Sequence, residues 1–251
     1  MKQPHELKDY GFFVGYLKTM PRGIALFALA VGAALVGAAA ASGLLLAYSS
    51  DNPLDRVYGP DTNVSGLYQA QPYPHIRTSP DKDHPSGHTL LLAGDGKRGA
   101  QSAGDAFAGQ VVDVTGGLLK RGTIDMLIVD TIKASAGPAP QASAAVSLGR
   151  WRIGGEVCDG KCAAGAMKPG TGLAHKGCAN LCIAGGLPPL LVTEKPVEGS
   201  NFLLLADAAG GPLATGTWEN YVARPVMLEG EVERRGDVLV MKLAPGQAVF
   251  P

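Results

Sequence analysis

The first pattern in the chain is an uninterrupted apolar run. Residues 24–47 are almost wholly apolar, and no charged residue occurs within 23–50. At about 1.5 Å per residue such a run makes about 36 Å of helix, enough to cross a hydrocarbon core of about 30 Å. Beyond residue 63 the pattern changes. Short apolar or alternating stretches are cut by Gly and Pro, and helical periodicity is nearly absent. That pattern predicts short β-strands. Residues 51–63, with Pro53, Pro60 and Asn63, read as a loop.

The strands repeat. Gly116, Arg121 and Gly122 recur as Gly230, Arg235 and Gly236 at a constant spacing of 114, each set inside a strand, an Arg-Gly turn and a second strand. Upstream, Leu90-Leu91-Leu92-Ala93 recurs as Leu203-Leu204-Leu205-Ala206 at a spacing of 113. Each half therefore holds an early strand (near Ser65–Tyr68 in the first, 150–157 in the second), a leucine strand and a terminal hairpin. About five short strands per half, with a glycine-bent hairpin, resembles the small five-stranded OB-type barrel. The expected fold class is all-β: one N-terminal transmembrane helix, then two tandem five-stranded small-barrel-like repeats. The expected boundaries are a lead at 1–22, the helix at 23–48, repeat one at 49–135, a Pro/Ala linker at 136–145 and repeat two at 146–251.

Charge refines the helix reading. The chain is formally neutral, with 22 basic and 22 acidic residues. Ahead of the apolar run, however, Lys2, Lys8, Lys18 and Arg22 outnumber Glu6 and Asp9 by two, and the remainder is negative by the same margin. Positive charge stays on the cytoplasmic side, so the N-terminus is expected inside a bacterial inner membrane and the bulk of the chain in the periplasm. A cleaved leader ending near 38–42 is the rival. The apolar run continues past that point through Leu44, Leu45 and Leu46, which favours a retained anchor. Ala33, Gly37 and Ala41 recur every four residues beside Gly32, a small-residue face suited to a multi-span partner. The lead is rich in aromatics, at Tyr10, Phe12, Phe13 and Tyr16. Neutral charge and 6% aromatics argue against nucleic acid as a partner, although OB-type barrels often bind single strands through basic, aromatic grooves.

Candidate chemistry concentrates in one insert. Cys158, Cys162, Cys178 and Cys182 lie within 25 residues, with His175 three before the second pair. The segment 158–189 interrupts the second repeat and has no counterpart in the first. In an oxidising compartment four cysteines predict two disulfides, nested as Cys158–Cys182 and Cys162–Cys178, or paired locally or crossed. The alternative is a metal site: four thiolates, or three with the His175 imidazole, suit zinc or copper. Asp81, Asp83, His84 and His88 form a second candidate ligand cluster. Lys120-Arg121 and Arg234-Arg235 read as solvated turns, and Trp151 and Trp218 as barrel core. No nucleophile, base and orienting acid occur at a recognisable spacing. The functional expectation is a non-catalytic, membrane-anchored periplasmic accessory or assembly subunit of an inner-membrane complex of the respiratory or redox kind, with no cofactor. The alternative is a periplasmic metal-binding or thiol-redox protein that uses the cysteine insert.

Overall fold

The structure is a computed structural model and describes residues 20–49, 56–140, 144–214, 216, 218–244 and 248–249. The aromatic lead lies outside the described residues. Two units make up the chain, residues 1–53 and 54–251. In the first, α1 runs Arg22–Ser49. Over Arg22–Leu46 its mean hydropathy is 2.4 and none of it is buried. A helix this long and apolar is able to span a bilayer. Nothing lies within 4 Å of where a Cβ on Gly32 or Gly37 would sit. Ala33, Gly37 and Ala41 share a face through their four-residue spacing.

The second unit is built from β-strands. Strands β1 (Arg56–Gln69), β2 (His75–Arg77), β3 (Thr89–Ala93), β4 (Val111–Arg121) and β5 (Ile124–Ala134) close a barrel in the order β1-β2-β3-β5-β4. The short helix α2 (Gln101–Gly104) follows β3. Strands β6 (Ala145–Asp159), β7 (Pro189–Val197), β8 (Ser200–Asp207), β9 (Pro225–Arg235) and β10 (Val238–Leu243) take the same order, β6-β7-β8-β10-β9, and β11 (Ala248–Val249) adds to β9. The parallel pairings also correspond: β3 runs parallel to β5, and β8 to β10. Both repeated hairpins turn on two residues led by a glycine with positive φ, 57° at Gly122 and 63° at Gly236. The two five-strand sheets, one closed as a barrel, fit an OB-like architecture.

The paired leucine runs have a common cause. Every residue of β3 is buried. Leu90 and Leu92 fill the first barrel with Tyr68, Ile76, Val112, Val114 and Leu127. Leu91 and Ala93 point the other way, into a cluster with Leu204, Ala206, Phe202 and Val240 from the second half. In β8 the alternation is equivalent: Leu203 and Leu205 enter the second sheet's own core. The outer faces of both leucine strands thus share one apolar layer, and a strand buried on both faces needs an unbroken apolar run.

Gly116 and Gly230 mark the repeat for a steric reason. A Cβ on Gly116 would fall on the Ile128 carbonyl oxygen, and one on Gly230 on the Lys242 carbonyl oxygen. Forcing the sheet apart there should make Gly116→Ala cost about 2 kcal/mol, the middle of the overpacking range. Thermal unfolding checks this. An unchanged melting temperature would remove the steric explanation.

Two sequence expectations need correction. Residues 56–63 are strand and not loop: β1 begins at Arg56 and pairs with β4 from there. The register shifts between Tyr58 and Asp61, which leaves Pro60 at an irregularity where no ladder N–H is required. Arg121 is likewise no solvated turn residue. It is buried, and its Nη1 donates to the Ala163 carbonyl at 3.0 Å. Trp218 is buried as expected, and Trp151 is partly buried and donates Nε1 to the Leu148 carbonyl at 2.9 Å.

Candidate metal centre

The insert leaves the sheet at the end of β6 and returns at β7. Cys158 and Asp159 are the last residues of β6. Cys162 lies on a π-helical turn, Cys162–Ala166, which breaks at Gly165 with φ 126°. A 3-10 turn, Leu173–His175, leads into α3, Lys176–Ala184. Cys178 and Cys182 sit four apart on α3 and so share one face. The first barrel clamps the insert from below: Gly99 N donates to the Gly185 carbonyl at 2.9 Å, and Lys161 Nζ donates to the Gly94 and Gly96 carbonyls at 2.7 and 3.0 Å. Cys158, Cys162 and Cys182 belong to the apolar layer shared by the two halves.

These turns bring the distant ligand atoms together. Cys162 Sγ lies 4.0 Å from Cys178 Sγ. A ring nitrogen of His175 stands within 4.8 Å of both, and the Cys162 and Cys182 sulfurs fall within 4.8 Å of each other and of an Asp159 oxygen. Among the described residues, every such grouping of three or more metal-ligand atoms lies in this insert. No disulfide joins the four cysteines in the structure. A separation of 4.0 Å is about twice a disulfide bond of roughly 2.05 Å. It is close to the ~3.8 Å edge of a tetrahedron with ~2.3 Å metal–sulfur bonds.

Asp159 organises the cluster. Its Oδ1 accepts from Cys162 N at 2.9 Å, and its Oδ2 accepts from His175 Nε2 at 3.1 Å. Both side chains are essentially inaccessible. A carboxylate on one ring nitrogen sets the tautomer and leaves Nδ1 as the ligand atom, the usual support for a metal-bound histidine. The Cys162 thiol is pushed up by its hydrogen bond to Cys182 and by burial, and Cys182 as acceptor is moved down. Lys97, from the first barrel, donates Nζ to Cys178 Sγ at 2.7 Å, and that bond holds its ammonium above the usual lysine range. Cys158, whose sulfur lies within 4.8 Å of a His175 ring nitrogen and an Asp159 oxygen, has a different partner. Its Sγ donates to the Gly170 carbonyl at 2.7 Å, and burial pushes the thiol well up.

Of the five residues read from the sequence, Cys162, His175 and Cys178 form one grouping, Cys162 and Cys182 meet at Asp159 in a second, and Cys158 meets His175 and Asp159 in a third. Asp159 and Lys97 carry no spacing signal and were missed. The second candidate cluster divides. Asp81 Oδ1 caps its own turn, accepting from Asp83 N at 2.8 Å and His84 N at 2.6 Å, and His84 stacks on His88 at 4.1 Å. His88 has both ring nitrogens on carboxylates: Nδ1 is 2.5 Å from Asp237 Oδ2, and Nε2 is 2.9 Å from Asp125 Oδ2. That ring has no nitrogen left for a metal.

No family model matches the chain, and no curated protein matches it. Among solved structures, a deletion mutant of the single-stranded DNA binding protein from Thermus aquaticus is similar over 79% of this chain and 88% of its own, at 13% identity and a TM-score of 0.19. Overlap that loose bears on neither site nor function.

Proposed function

We propose that this is a membrane-anchored metal-binding protein that holds a thiophilic d¹⁰ ion, Zn²⁺ or Cu⁺, on Cys162, Cys178, Cys182 and His175. The observation that carries the reading is that Cys162, His175 and Cys178 offer ligand atoms within 4.8 Å of one another and that the Cys182 sulfur lies within the same distance of Cys162, with Asp159 on the imidazole. Three thiolates and an imidazole on Zn²⁺ carry a net charge of −1, and the Lys97 ammonium lies where it offsets it. Zinc favours a closed four-ligand tetrahedron of this composition. Copper(I) competes through its preference for soft thiolates. The apolar α1 and the basic lead support anchorage with the insert on the periplasmic side, and the open small-residue face of α1 supports an accessory role beside a multi-span membrane protein.

Reconstitution tests it. The reduced full-length protein in mild detergent should take up one equivalent of Zn²⁺ or Cu⁺, with the stronger competitor naming the resident ion. Co²⁺ in the same site should give tetrahedral visible bands with thiolate charge transfer. Cys162→Ser should abolish those bands and Cys158→Ala should keep them. Substoichiometric uptake of every ion would sink the metal reading, and a protein that always purifies without a multi-span companion would sink the accessory role.

A further inference from the structure

We propose that Cys178 is a hydroperoxide-reactive cysteine whose oxidised form is resolved by Cys162. Among the four thiols, Cys158, Cys162 and Cys182 are buried and Cys178 alone is partly exposed. A hydroperoxide arriving from solvent therefore meets Cys178 first. Lys97 Nζ, 2.7 Å from that sulfur, puts a positive charge beside the attacking atom and beside the oxygen it displaces. Reactive cysteines sit in such electropositive, partly exposed surroundings. The resolving partner is already in place, because Cys162 Sγ stands 4.0 Å away. A closure of about 2 Å brings the two sulfurs to bonding distance. Cys162 starts the π-turn that breaks at Gly165, and Cys178 lies on α3. The bond thus joins two separate segments of the insert. Cys158 takes no part, since its sulfur is engaged with the Gly170 carbonyl.

The chemistry balances in two steps. The Cys178 sulfur attacks one peroxide oxygen, the O–O bond breaks, and the other oxygen leaves with a proton as an alcohol, or as water from hydrogen peroxide. Cys178 is then a sulfenic acid. The Cys162 sulfur attacks the Cys178 sulfur, the S–O bond breaks, the S–S bond forms, and the oxygen leaves as water with the Cys162 proton. Two thiols and one hydroperoxide become one disulfide, one alcohol and one water. The product pairs Cys162 with Cys178, the inner bridge of the nested arrangement considered from the sequence. Metal release rests on the reading above: the disulfide consumes two of the four ligands, so a bound ion is set free in the same event.

The test begins with the reduced, metal-free full-length protein, so that it does not depend on metal binding. One equivalent of hydrogen peroxide should remove two hydrogens from the intact mass, and peptide mapping should find Cys162 bonded to Cys178. Cys162→Ser should stop one step earlier, with a dimedone-trappable sulfenic acid on Cys178. Cys178→Ser should react at least about tenfold more slowly, Lys97→Met should slow the reaction by a similar factor, and Cys158→Ala should behave as the unaltered protein. A disulfide mapped to Cys158 or Cys182, or no dimedone adduct on Cys178 in Cys162→Ser, overturns the proposal even if the variant is poorly folded, because the unaltered protein supplies the first readout. The zinc-loaded protein then releases its ion to a chromophoric chelator in step with disulfide formation. A chain that forms the disulfide but takes up neither Zn²⁺ nor Cu⁺ refutes the metal reading and leaves the thiol chemistry standing.

Discussion

Loading the detergent-solubilised protein with zinc should raise its melting temperature by about 10 °C, and His175→Ala should remove most of that rise. An ion that binds the folded form alone stabilises it by about 4 kcal/mol at a thousandfold excess over its dissociation constant. For a chain of this size each kcal/mol moves the midpoint by roughly 2–4 °C. The gain has a structural route. Cys162 lies on the π-turn and the other three ligands lie at or on α3, so the ion ties together the two halves of an insert that has little apolar mass of its own. Deleting the imidazole also strands the Asp159 carboxylate, which is wholly buried beside it. Equal zinc shifts in His175→Ala and the unaltered protein would rule out this ligand set, whereas Cys158→Ala should retain the full response.

The second large effect is a loss of stability in alkaline solution. His88 lies between Asp125 on β5 and Asp237 in the β9–β10 turn, with Lys120 Nζ 3.2 Å from Asp125 and Arg77 Nη1 2.5 Å from Asp237. Burial opposes charging the ring, but the two carboxylates outweigh it and raise His88 from 6.5 to about 9. The folded form binds this proton more tightly than the unfolded chain. Its contribution is therefore complete below pH 6.5 and disappears as pH rises through about 9. A shift of that size corresponds to roughly 3 kcal/mol, and little is lost to solvent screening because the side chain is 14% exposed. Asp237 acts in the opposite direction. Its hydrogen bonds from His88 and Thr89 outweigh its burial and hold it far below the usual carboxylate value of 3.8. The stability it adds is present above pH 3.8 and falls away only in strong acid. The cluster is thus at full strength between about pH 4 and 6.5. Thermal midpoints of the unaltered protein should drop between pH 6.5 and 9, while His88→Gln should start lower and stay flat. A drop of equal size in the variant would place the titrating group elsewhere.

What could be read from the sequence divides along the line between local pattern and distant contact. The span at 24–47 needs only a count of apolar residues. The duplication was legible because Gly116 and Gly230 meet the same backbone obstruction, so the residue type recurs with the hairpin. The leucine runs were legible as strands, yet their cause was not, since the second face of β3 is covered by residues more than a hundred positions away. The insert was visible as four cysteines and a histidine, and its ligand set was not. Cys158 falls out because its strand-end position turns its sulfur to Gly170, and Asp159 enters because the next residue of the same strand faces His175. Lys97 comes from the other barrel, and no spacing rule reaches it. His88 was grouped with its neighbours in sequence, but its partners are Asp125 and Asp237, brought together by the packing of the two halves. Arg121 was assigned to solvent for the same reason: the Ala163 carbonyl that it reaches belongs to the insert.

The apolar layer between the leucine strands also bears on biosynthesis. Ribosomes deliver the first barrel before the second exists, and domains fold in that order. Until β8 and the insert arrive, Leu91, Ala93, Leu119 and Met126 have no cover and face whatever surrounds the emerging chain. A truncation at the 136–140 linker would make that interval permanent. The twin halves are therefore poor candidates for separate expression as soluble modules, and the nascent first half is the stage at which a holding chaperone has most to protect.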